Sequence, residues 1–317
     1  MNSRVLVAVD GFDEGQKQRI SEAILGWALC EYVAQNAPEQ TIRQLLPHTD
    51  IAIGWLSPNH LLDASVKFLQ LPSVGYEAYC GKGLGRKKNF LLCNAKGVMG
   101  VPVAEHCIAM MLGLTRRIPA HVLDRQAKRW RRQATYEELA GSTACIVGLG
   151  EIGTEIARRC VALSVKLCGV RQHKARIHEV VSEVYSPEQL SMAVSKADHV
   201  IAAVPGEGLT VPLFNADVFD SFKTGANFYN VSRGRVVDEL ELIQRLRSGK
   251  IRYAGLDVFA EEPLPLTSPL WELENVLVTP HAAGRSVREM DRLCDLFVTN
   301  LEHYHAGRAL QNVVSLD

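Results

Sequence analysis

The chain contains 317 residues, 47% of them hydrophobic, and its 35 lysines and arginines balance its 35 aspartates and glutamates. A chain of this length exceeds what one hydrophobic core usually serves, so two domains are expected. Zero net charge excludes a general electrostatic attraction to nucleic acid or to an acidic surface.

The N-terminal segment lacks the marks of a targeting sequence. Its apolar run at residues 5–9 is too short for a signal peptide, and no run approaches membrane-spanning length. The eight cysteines show no Cys-x-x-Cys spacing and mostly lie in apolar runs, which favours reduced core thiols over disulfides or a metal site. We expect a cytoplasmic protein with no bound metal and no membrane or nucleic-acid partner.

The first third of the chain predicts a small α/β unit. Short apolar runs read as strands at residues 4–9, 51–54, 66–69 and 90–93. The glycine- and lysine-rich segment 81–88 predicts a mobile loop. Its glycines also resemble a phosphate-binding turn, but no apolar helix follows them.

Two helical segments predict connections between domains. Residues 103–114 are almost continuously apolar, and residues 286–306 return the chain towards its beginning. We therefore expect a discontinuous substrate-binding domain of residues 1–100 and 285–317, a dinucleotide-binding domain of residues 101–284, and a cleft between them. The basic run around Trp130 is compatible with nucleic-acid binding, but the neutral chain favours a solvated connector.

The most informative motif is Gly148-Leu149-Gly150-Glu151-Ile152-Gly153, which joins a strand-like run at 144–147 to an amphipathic helical pattern. Gly148 permits a tight turn, Gly150 lets the backbone approach a pyrophosphate, and Gly153 allows close packing of helix on strand. The first helical amides, at Glu151 and Ile152, supply donors for phosphate. The alternative is a glycine turn that only joins packed elements.

Beyond this motif, strand-like runs alternate with helical patterns. The runs lie at residues 165–170, 199–204, 227–230, 252–256 and 276–279. One intervening helix is predicted by Asp238 as N-cap, Glu241 three residues later and Gly249 as its stop. This alternation of strands and helices predicts an α/β fold with a doubly wound, Rossmann-type parallel sheet.

Residues that follow the predicted strands are candidates for the binding site, because ligands of such sheets bind outside the carboxyl ends of the strands. These candidates are Gly148, Arg171, Pro205, Val231, Ser232, Arg233, Asp257 and His281.

Three polar residues of this region form a coherent chemical set. The Arg233 guanidinium suits a substrate carboxylate, and His281 exchanges a proton near neutral pH. Glu262, in the loop after Asp257, would orient His281 and favour its charged form. Taken singly, each residue is better explained by a surface or capping role; together they fit proton-coupled hydride transfer to a ketone.

The motifs resemble those of the D-isomer-specific 2-hydroxyacid dehydrogenases, which include glyoxylate/hydroxypyruvate reductases. The resemblance rests on the segments Ser73-Val74-Gly75-Tyr76-Glu77, Val103-Ala104-Glu105-His106, the glycine motif, Asn230-Val231-Ser232-Arg233-Gly234, Ala254-Gly255-Leu256-Asp257, Glu262-Pro263-Leu264 and Thr279-Pro280-His281-Ala282-Ala283-Gly284.

The resemblance implies a Rossmann-type domain and a smaller flavodoxin-like α/β substrate domain. It also implies that Arg233, Glu262 and His281 form a catalytic triad. Asp257 would accept a hydrogen bond from the nicotinamide carboxamide, Gly284 would lie at the cofactor, and the amides of Val74 and Gly75 would bind the substrate carboxylate. The family is typically dimeric, which makes residues 103–114 the interface candidate.

The cofactor preference is predicted from the end of the second strand of the nucleotide domain, where NAD-binding proteins usually carry a carboxylate. This chain has Arg171-Gln172-His173-Lys174 there. Arg171 suits a 2′-phosphate, so we expect NADPH, with NAD as the alternative.

Some positions depart from the family pattern. Gly100 stands where relatives tend to carry a small polar residue, and the segment following Pro205 is looser than usual. We expect a reductase of small 2-keto acids such as glyoxylate or hydroxypyruvate. The competing functions are a dinucleotide-sensing corepressor or scaffold and a phosphite- or formate-type dehydrogenase.

Overall fold

A computed structural model describes residues 3–132, 135–172, 180–181, 183–204 and 212–316. It divides the chain into two compact units. The discontinuous unit consists of Met1–Met99 and Ser286–Asp317, and the central unit of Gly100–Arg285.

Within its described residues, the discontinuous unit holds a five-stranded parallel sheet in the order β2-β1-β3-β4-β5. The strands are β1 (Ser3–Ala8), β2 (Ala28–Tyr32), β3 (Ile51–Gly54), β4 (Phe68–Gln70) and β5 (Leu91–Cys93). The helices are α1 (Glu14–Ala23), α2 (Glu39–Leu45), α3 (Pro58–Asp63) and the C-terminal helix α10 (Glu289–His305). This strand order is that of flavodoxin-like folds, so the fold predicted for the small domain is confirmed.

Alternation along β1 explains how this sheet is covered on both faces. Val5 and Val7 contribute to a core with α1 and α10, whereas Leu6 and Ala8 face the opposite core. Successive side chains of a strand point to opposite faces, and a parallel sheet that is buried on both sides is apolar at every position. The continuous apolar run that predicted this strand therefore reflects two-sided burial.

The glycine- and lysine-rich segment forms a cap for α3. Leu84–Arg86 is a short 3₁₀ turn, and the Leu84 side chain is buried. The Lys87 ammonium donates to the carbonyl oxygens of Leu61 and Ala64, at the end of α3. A lysine at a helix C-terminus satisfies carbonyl groups that have no partner within the helix.

The central unit holds, in its described residues, a seven-stranded parallel sheet in the order β12-β11-β10-β9-β6-β7-β8. The strands are β6 (Thr143–Val147), β7 (Lys166–Val170), β8 (Glu183–Tyr185), β9 (His199–Ala202), β10 (Ala226–Asn230), β11 (Ile251–Leu256) and β12 (Val276–Val278). The helices are α4 (Gly100–Thr115), α5 (Ile118–Gln126), α6 (Glu151–Ala162), α7 (Leu190–Val194), α8 (Ala216–Asp220) and α9 (Glu239–Arg247).

This arrangement confirms the predicted Rossmann-type sheet. The chain runs outward from β6 through β7 to β8 and then continues at β9, on the other side of β6. Ligands of such sheets bind outside the carboxyl ends of the strands where the order reverses. The glycine motif directly follows β6, so the fold places it at this reversal.

Helix α4 owes much of its apolar character to packing within its own unit. It packs against α6 and β11, and Cys107, Met110 and Met111 are buried. Exposed apolar side chains remain at Leu112 of α4 and on α5, at Ile118, Val122 and Leu123.

The predicted N-cap of α9 and the predicted free thiols are both present. Asp238 caps α9 by accepting a hydrogen bond from the Glu241 amide, as predicted. All eight cysteines carry free thiols, and six of them are buried. In the described part of the chain, no helix is both long and apolar enough to cross a membrane, and no group of three or more His, Cys, Asp and Glu side chains is arranged to hold a metal.

A polar cluster lies at the amino ends of the central unit's strands, beside a cavity of about 380 Å³. The His199 side chain is buried there, with its Nδ1 3.2 Å from the Tyr229 hydroxyl. Burial lowers the pKa of His199 to about 4, and the nearby Asp198 carboxylate only partly opposes this effect. The imidazole is therefore neutral in the folded protein at neutral pH.

Candidate active site

The glycine motif forms a turn that is tightly packed at Gly148 and Gly153 and open at Gly150. Gly148 has a φ of +104°, and a side chain there would overlap the carbonyl oxygen of Ala203. A side chain at Gly153 would overlap the carbonyl oxygen of Gly148. A Cβ atom at Gly150, the N-cap of α6, would meet nothing within 4 Å in the described residues. This space, with the first amides of α6 beside it, fits the pyrophosphate of a dinucleotide.

Arg233 follows β10 in a turn that Asn230 holds. The buried Asn230 side chain donates to the Arg233 carbonyl oxygen at 3.1 Å and accepts from the Ser232 amide and hydroxyl at 3.1 and 2.8 Å. Val231 and Ser232 are buried, whereas Arg233 is half-buried. The turn therefore has a rigid base, and Nη1 of Arg233 donates to the Ser232 carbonyl oxygen at 2.9 Å, so the guanidinium lies against the turn.

The loops after β10 and β11 are in direct contact. Gly234, next to Arg233, packs so closely on the carbonyl of Phe259 that a side chain at Gly234 would overlap it. The Phe259 amide donates to Oε1 of Glu262 at 2.9 Å. The loop that carries Arg233 thus packs against the loop that carries Glu262.

Glu262 and His281 form a hydrogen-bonded pair. Oε2 of Glu262 lies 2.7 Å from Nδ1 of His281, and both side chains are partly exposed. An ionised carboxylate can only accept, so this contact places a proton on Nδ1 and directs Nε2 away from the glutamate. The ring is held in one orientation with one nitrogen available to a ligand.

Asp257 links β11 to the segment that carries His281. Its buried carboxylate accepts from the Thr279 hydroxyl at 2.6 Å and from the Ala282 and Ala283 amides at 2.9 and 3.0 Å. The His281 amide donates to the Asp257 carbonyl oxygen at 2.9 Å. A carboxylate offers about four acceptor positions, so room for one further donor remains.

His106 was not assigned a role from the sequence, although it belongs to a quoted motif. Its Nε2 lies 2.9 Å from the Thr279 hydroxyl and 3.7 Å from Asp257. Thr279 directly follows β12, but the sequence placed it inside the predicted strand 276–279, so the rule of reading strand ends did not single it out. Both residues surround the Asp257 carboxylate and support its position.

The remaining candidates for cofactor binding are Arg171, Gly284 and Pro205. Arg171 directly follows β7 and is half-buried, and among the described residues no carboxylate pairs with its guanidinium. Gly284 lies three residues after His281 and is half-buried. Pro205, His173 and Lys174 lie outside the described residues.

The flexible side chain of Glu151 lies beside Gly100 and would have to move to admit a side chain there. A Cβ atom there would overlap the carboxylate of Glu151, the first residue of α6. The glutamate fills the space that a polar side chain at position 100 would take.

Val74 and Gly75 belong to the discontinuous unit, where they follow β4. The carbonyl oxygen of Val74 accepts from Nδ2 of Asn94 at 2.9 Å, and that of Gly75 accepts from the Ser73 hydroxyl at 2.9 Å. Their own amides find no acceptor within the residues that the structure describes.

Comparison with known proteins identifies the family. The sequence profile described as "D-isomer specific 2-hydroxyacid dehydrogenase, NAD binding domain" matches residues 108–283. The chain belongs to the D-isomer specific 2-hydroxyacid dehydrogenase family, as the sequence motifs predicted.

Individual relatives agree with this assignment. The chain is 31% identical to the glyoxylate/hydroxypyruvate reductase B of Escherichia coli O17:K52:H18 over 294 residues, which cover 88% of this chain and 90% of the relative. It is 31% identical to the D-3-phosphoglycerate dehydrogenase of Archaeoglobus fulgidus over 235 residues, 73% of this chain but 44% of that protein.

A solved structure extends the comparison to the whole chain. It is that of the NADPH-dependent glyoxylate/hydroxypyruvate reductase from Sinorhizobium meliloti, in complex with NADP and sulfate, with a TM-score of 0.83 at 25% sequence identity. The match covers 99% of both chains. Together the comparisons support an oxidoreductase of 2-keto or 2-hydroxy acids that uses a nicotinamide dinucleotide.

Proposed function

We propose that this protein reduces small 2-keto acids such as glyoxylate or hydroxypyruvate to D-2-hydroxy acids with NADPH. The observation that carries the proposal is the 2.7 Å contact between Glu262 and Nδ1 of His281. It lies at the carboxyl edge of a sheet whose glycine turn fits a dinucleotide.

The residues divide the reaction between them. A bound nicotinamide cofactor supplies the hydride that the keto carbon accepts. Nε2 of the protonated His281 donates a proton to the carbonyl oxygen, and Glu262 holds the ring in position for this transfer. The Arg233 guanidinium pairs with the neighbouring carboxylate and orients the substrate.

Further contacts of substrate and cofactor follow from the same arrangement. The amides of Val74 and Gly75 bind the substrate carboxylate. Asp257 accepts from the nicotinamide carboxamide through its remaining acceptor position, and Gly148, Gly150, Glu151, Ile152, Gly153, Val231, Ser232 and Gly284 line the dinucleotide. Pro205 belongs to this set from the sequence alone.

NADPH is the proposed cofactor because of Arg171. A carboxylate after β7 would bind the ribose hydroxyls of NAD and repel a 2′-phosphate, whereas an arginine pairs with that phosphate. The S. meliloti relative, which was solved with NADP, supports this choice. NAD is the alternative.

We further propose a homodimer in the cytoplasm. The sequence pointed to residues 103–114 as the interface. The exposed apolar side chains shift the proposed contact towards α5, where Ile118 and Val122 lie one helical turn apart and Leu123 is 57% exposed.

The test is a substrate panel followed by the absorbance of NADPH and of NADH. Wild-type protein should reduce glyoxylate or hydroxypyruvate faster with NADPH. His281→Ala should lower kcat by about 100- to 10,000-fold, as expected for the loss of a general acid, and should leave the dissociation constant of NADPH unchanged. His48→Ala, which removes an exposed histidine of the discontinuous unit, is the matched control and should retain activity.

Two results would contradict the proposal. A wild-type protein that turns over no 2-keto acid with either cofactor excludes the reductase function and favours a dinucleotide-sensing protein. An active His281→Ala variant excludes this histidine as the acid.

A further inference from the structure

Three successive carbonyl groups of the segment Ser73-Val74-Gly75 are held by hydrogen bonds. The Ser73 oxygen accepts from the Ala95 amide at 2.8 Å, the Val74 oxygen from Nδ2 of Asn94 at 2.9 Å, and the Gly75 oxygen from the Ser73 hydroxyl at 2.9 Å. We call this segment the carboxylate loop.

Fixing a carbonyl also fixes the amide of the same peptide unit. In a trans peptide the C=O and N–H groups point in opposite directions. The Ala95 amide therefore turns the Val74 N–H away from itself, and the Asn94 side chain turns the Gly75 N–H away in the same manner. Within the described part of the chain neither N–H group has an acceptor, although both residues are half-buried.

Two neighbouring amides that have no acceptor among the described residues favour the binding of an anion. Half-buried N–H groups without a partner cost free energy until a ligand or water accepts from them. Consecutive backbone amides of a loop form the concave sites in which proteins bind anions. The carboxylate loop is thus shaped before substrate arrives.

Asn94 is itself held in one orientation. Its Oδ1 accepts from the Lys96 amide at 3.2 Å, which leaves Nδ2 to face Val74. Its backbone oxygen accepts from Nε2 of Gln70 at 3.0 Å, and Oε1 of Gln70 accepts from Nδ2 of Asn300 at 3.0 Å. Gln70 and Asn300 are fully buried.

These contacts form a continuous hydrogen-bonded chain, in which Gln70 binds the backbone oxygen of Asn94 rather than its side chain. It begins at Asn300 on α10, passes through Gln70 at the end of β4, and ends at Asn94, which contacts the carboxylate loop. Buried polar groups with all partners in place rigidify the backbone around them.

We propose that Asn94 is a positioning residue for substrate binding. Its side chain holds the Val74 carbonyl so that the Gly75 amide faces the carboxylate of the 2-keto acid, and Gln70 and Asn300 hold Asn94 in turn. This inference rests on the proposed function, because it assigns a role in binding that substrate class.

The test replaces the carboxamide donor with groups that cannot donate. Asn94→Asp replaces it with an acceptor that repels the Val74 oxygen, and Asn94→Leu removes the donor without adding charge. Each should raise KM for glyoxylate about 10-fold, the usual effect of one lost orienting hydrogen bond, and change kcat less than about 3-fold. The dissociation constant of NADPH should stay the same, because its proposed site lies in the central unit.

Asn312→Asp is the matched control. Nδ2 of Asn312 donates to the Lys96 carbonyl at 2.6 Å, and its backbone oxygen accepts from the Asn94 amide at 3.1 Å. The variant changes the side-chain contact alone, keeps this backbone contact, and does not touch the carboxylate loop. It should keep the wild-type KM. Thermal unfolding of all variants identifies any that do not fold, and in that case Asn94→Ala, which removes the donor and adds no volume, should raise KM about 10-fold.

The outcomes separate the two proposals. A wild-type KM in both Asn94 variants, or an equal rise in Asn312→Asp, would overturn the positioning role. If wild-type protein reduces no 2-keto acid, the proposed function fails by itself, and calorimetric binding of oxalate to the same variants still tests the loop. Weaker oxalate binding in the Asn94 variants alone then supports the positioning role, and equal binding in every variant refutes it.

Discussion

The burial of His199 should make the protein lose stability in mild acid. The pKa of this imidazole is about 4 in the folded protein and 6.5 when unperturbed. The pKa of His199 is lower in the folded than in the unfolded protein. Its contribution to the free energy of unfolding is therefore fully present above pH 6.5 and is lost as the pH falls towards 4. At pH 5 about 97% of the unfolded-state groups and about 9% of the folded-state groups are protonated, so the loss relative to pH 8 is about 2 kcal/mol.

Urea unfolding at pH 8 and pH 5 measures this effect. His199→Gln removes the titrating group, so the free energy of unfolding of the variant should fall about 2 kcal/mol less than that of the wild type between the two pH values. Tyr229→Phe is the control, since it removes the hydroxyl beside the imidazole but leaves the imidazole buried. It should keep the wild-type pH dependence. An equal loss in wild type and His199→Gln would refute the assignment to this histidine.

Three further changes test other parts of the structure. Arg171→Asp should shift the ratio of kcat/KM for NADPH to that for NADH by at least about 10-fold towards NADH, the effect of one charge-assisted contact; an unchanged ratio would contradict the proposed phosphate contact. Gly153→Ala should lower the free energy of unfolding by about 2 kcal/mol and weaken cofactor binding, because its methyl group overlaps a backbone oxygen. Gly113→Ala, with nothing within 4 Å of the added atom among the described residues, is the control for urea unfolding. Leu123→Glu should halve the molar mass measured by analytical ultracentrifugation, because it places a charge in the proposed dimer contact. Leu240 on α9 is 72% exposed, and Leu240→Glu should leave the molar mass unchanged. A fully dimeric Leu123→Glu variant would exclude that interface.

Interior strands were predictable from the sequence because burial on both faces leaves an apolar run. Strands β2 and β8 were missed, since both lie at sheet edges and carry exposed or charged side chains such as Leu29, Glu31 and Glu183. Helix α1 was also missed, although a signal was present. Asp13 and Gln16 form a capping box at its start, and the spacing of these two residues is readable in the sequence.

The candidate site was predictable to the extent that it depends on topology. Neighbouring parallel strands end at one edge, which places Arg233, Asp257 and His281 at the ends of β10, β11 and β12. The orientation of the loops was not predictable, because it depends on contacts between residues far apart in the chain. The hydrogen bonds that join Asp257 to the His281 segment and Asn94 to Val74 are of this kind.

The carboxylate of Asp257 complicates the interpretation of any substitution at this position. It binds the segment that follows the edge strand β12 to the end of β11, through the Thr279 hydroxyl and the amides of Ala282 and Ala283. An inactive Asp257 variant would therefore combine a displaced imidazole with the loss of the proposed contact to the nicotinamide carboxamide. Titration of the coenzyme together with the ring resonances of His281 in NMR spectra would distinguish these two defects, whereas turnover alone would confound them.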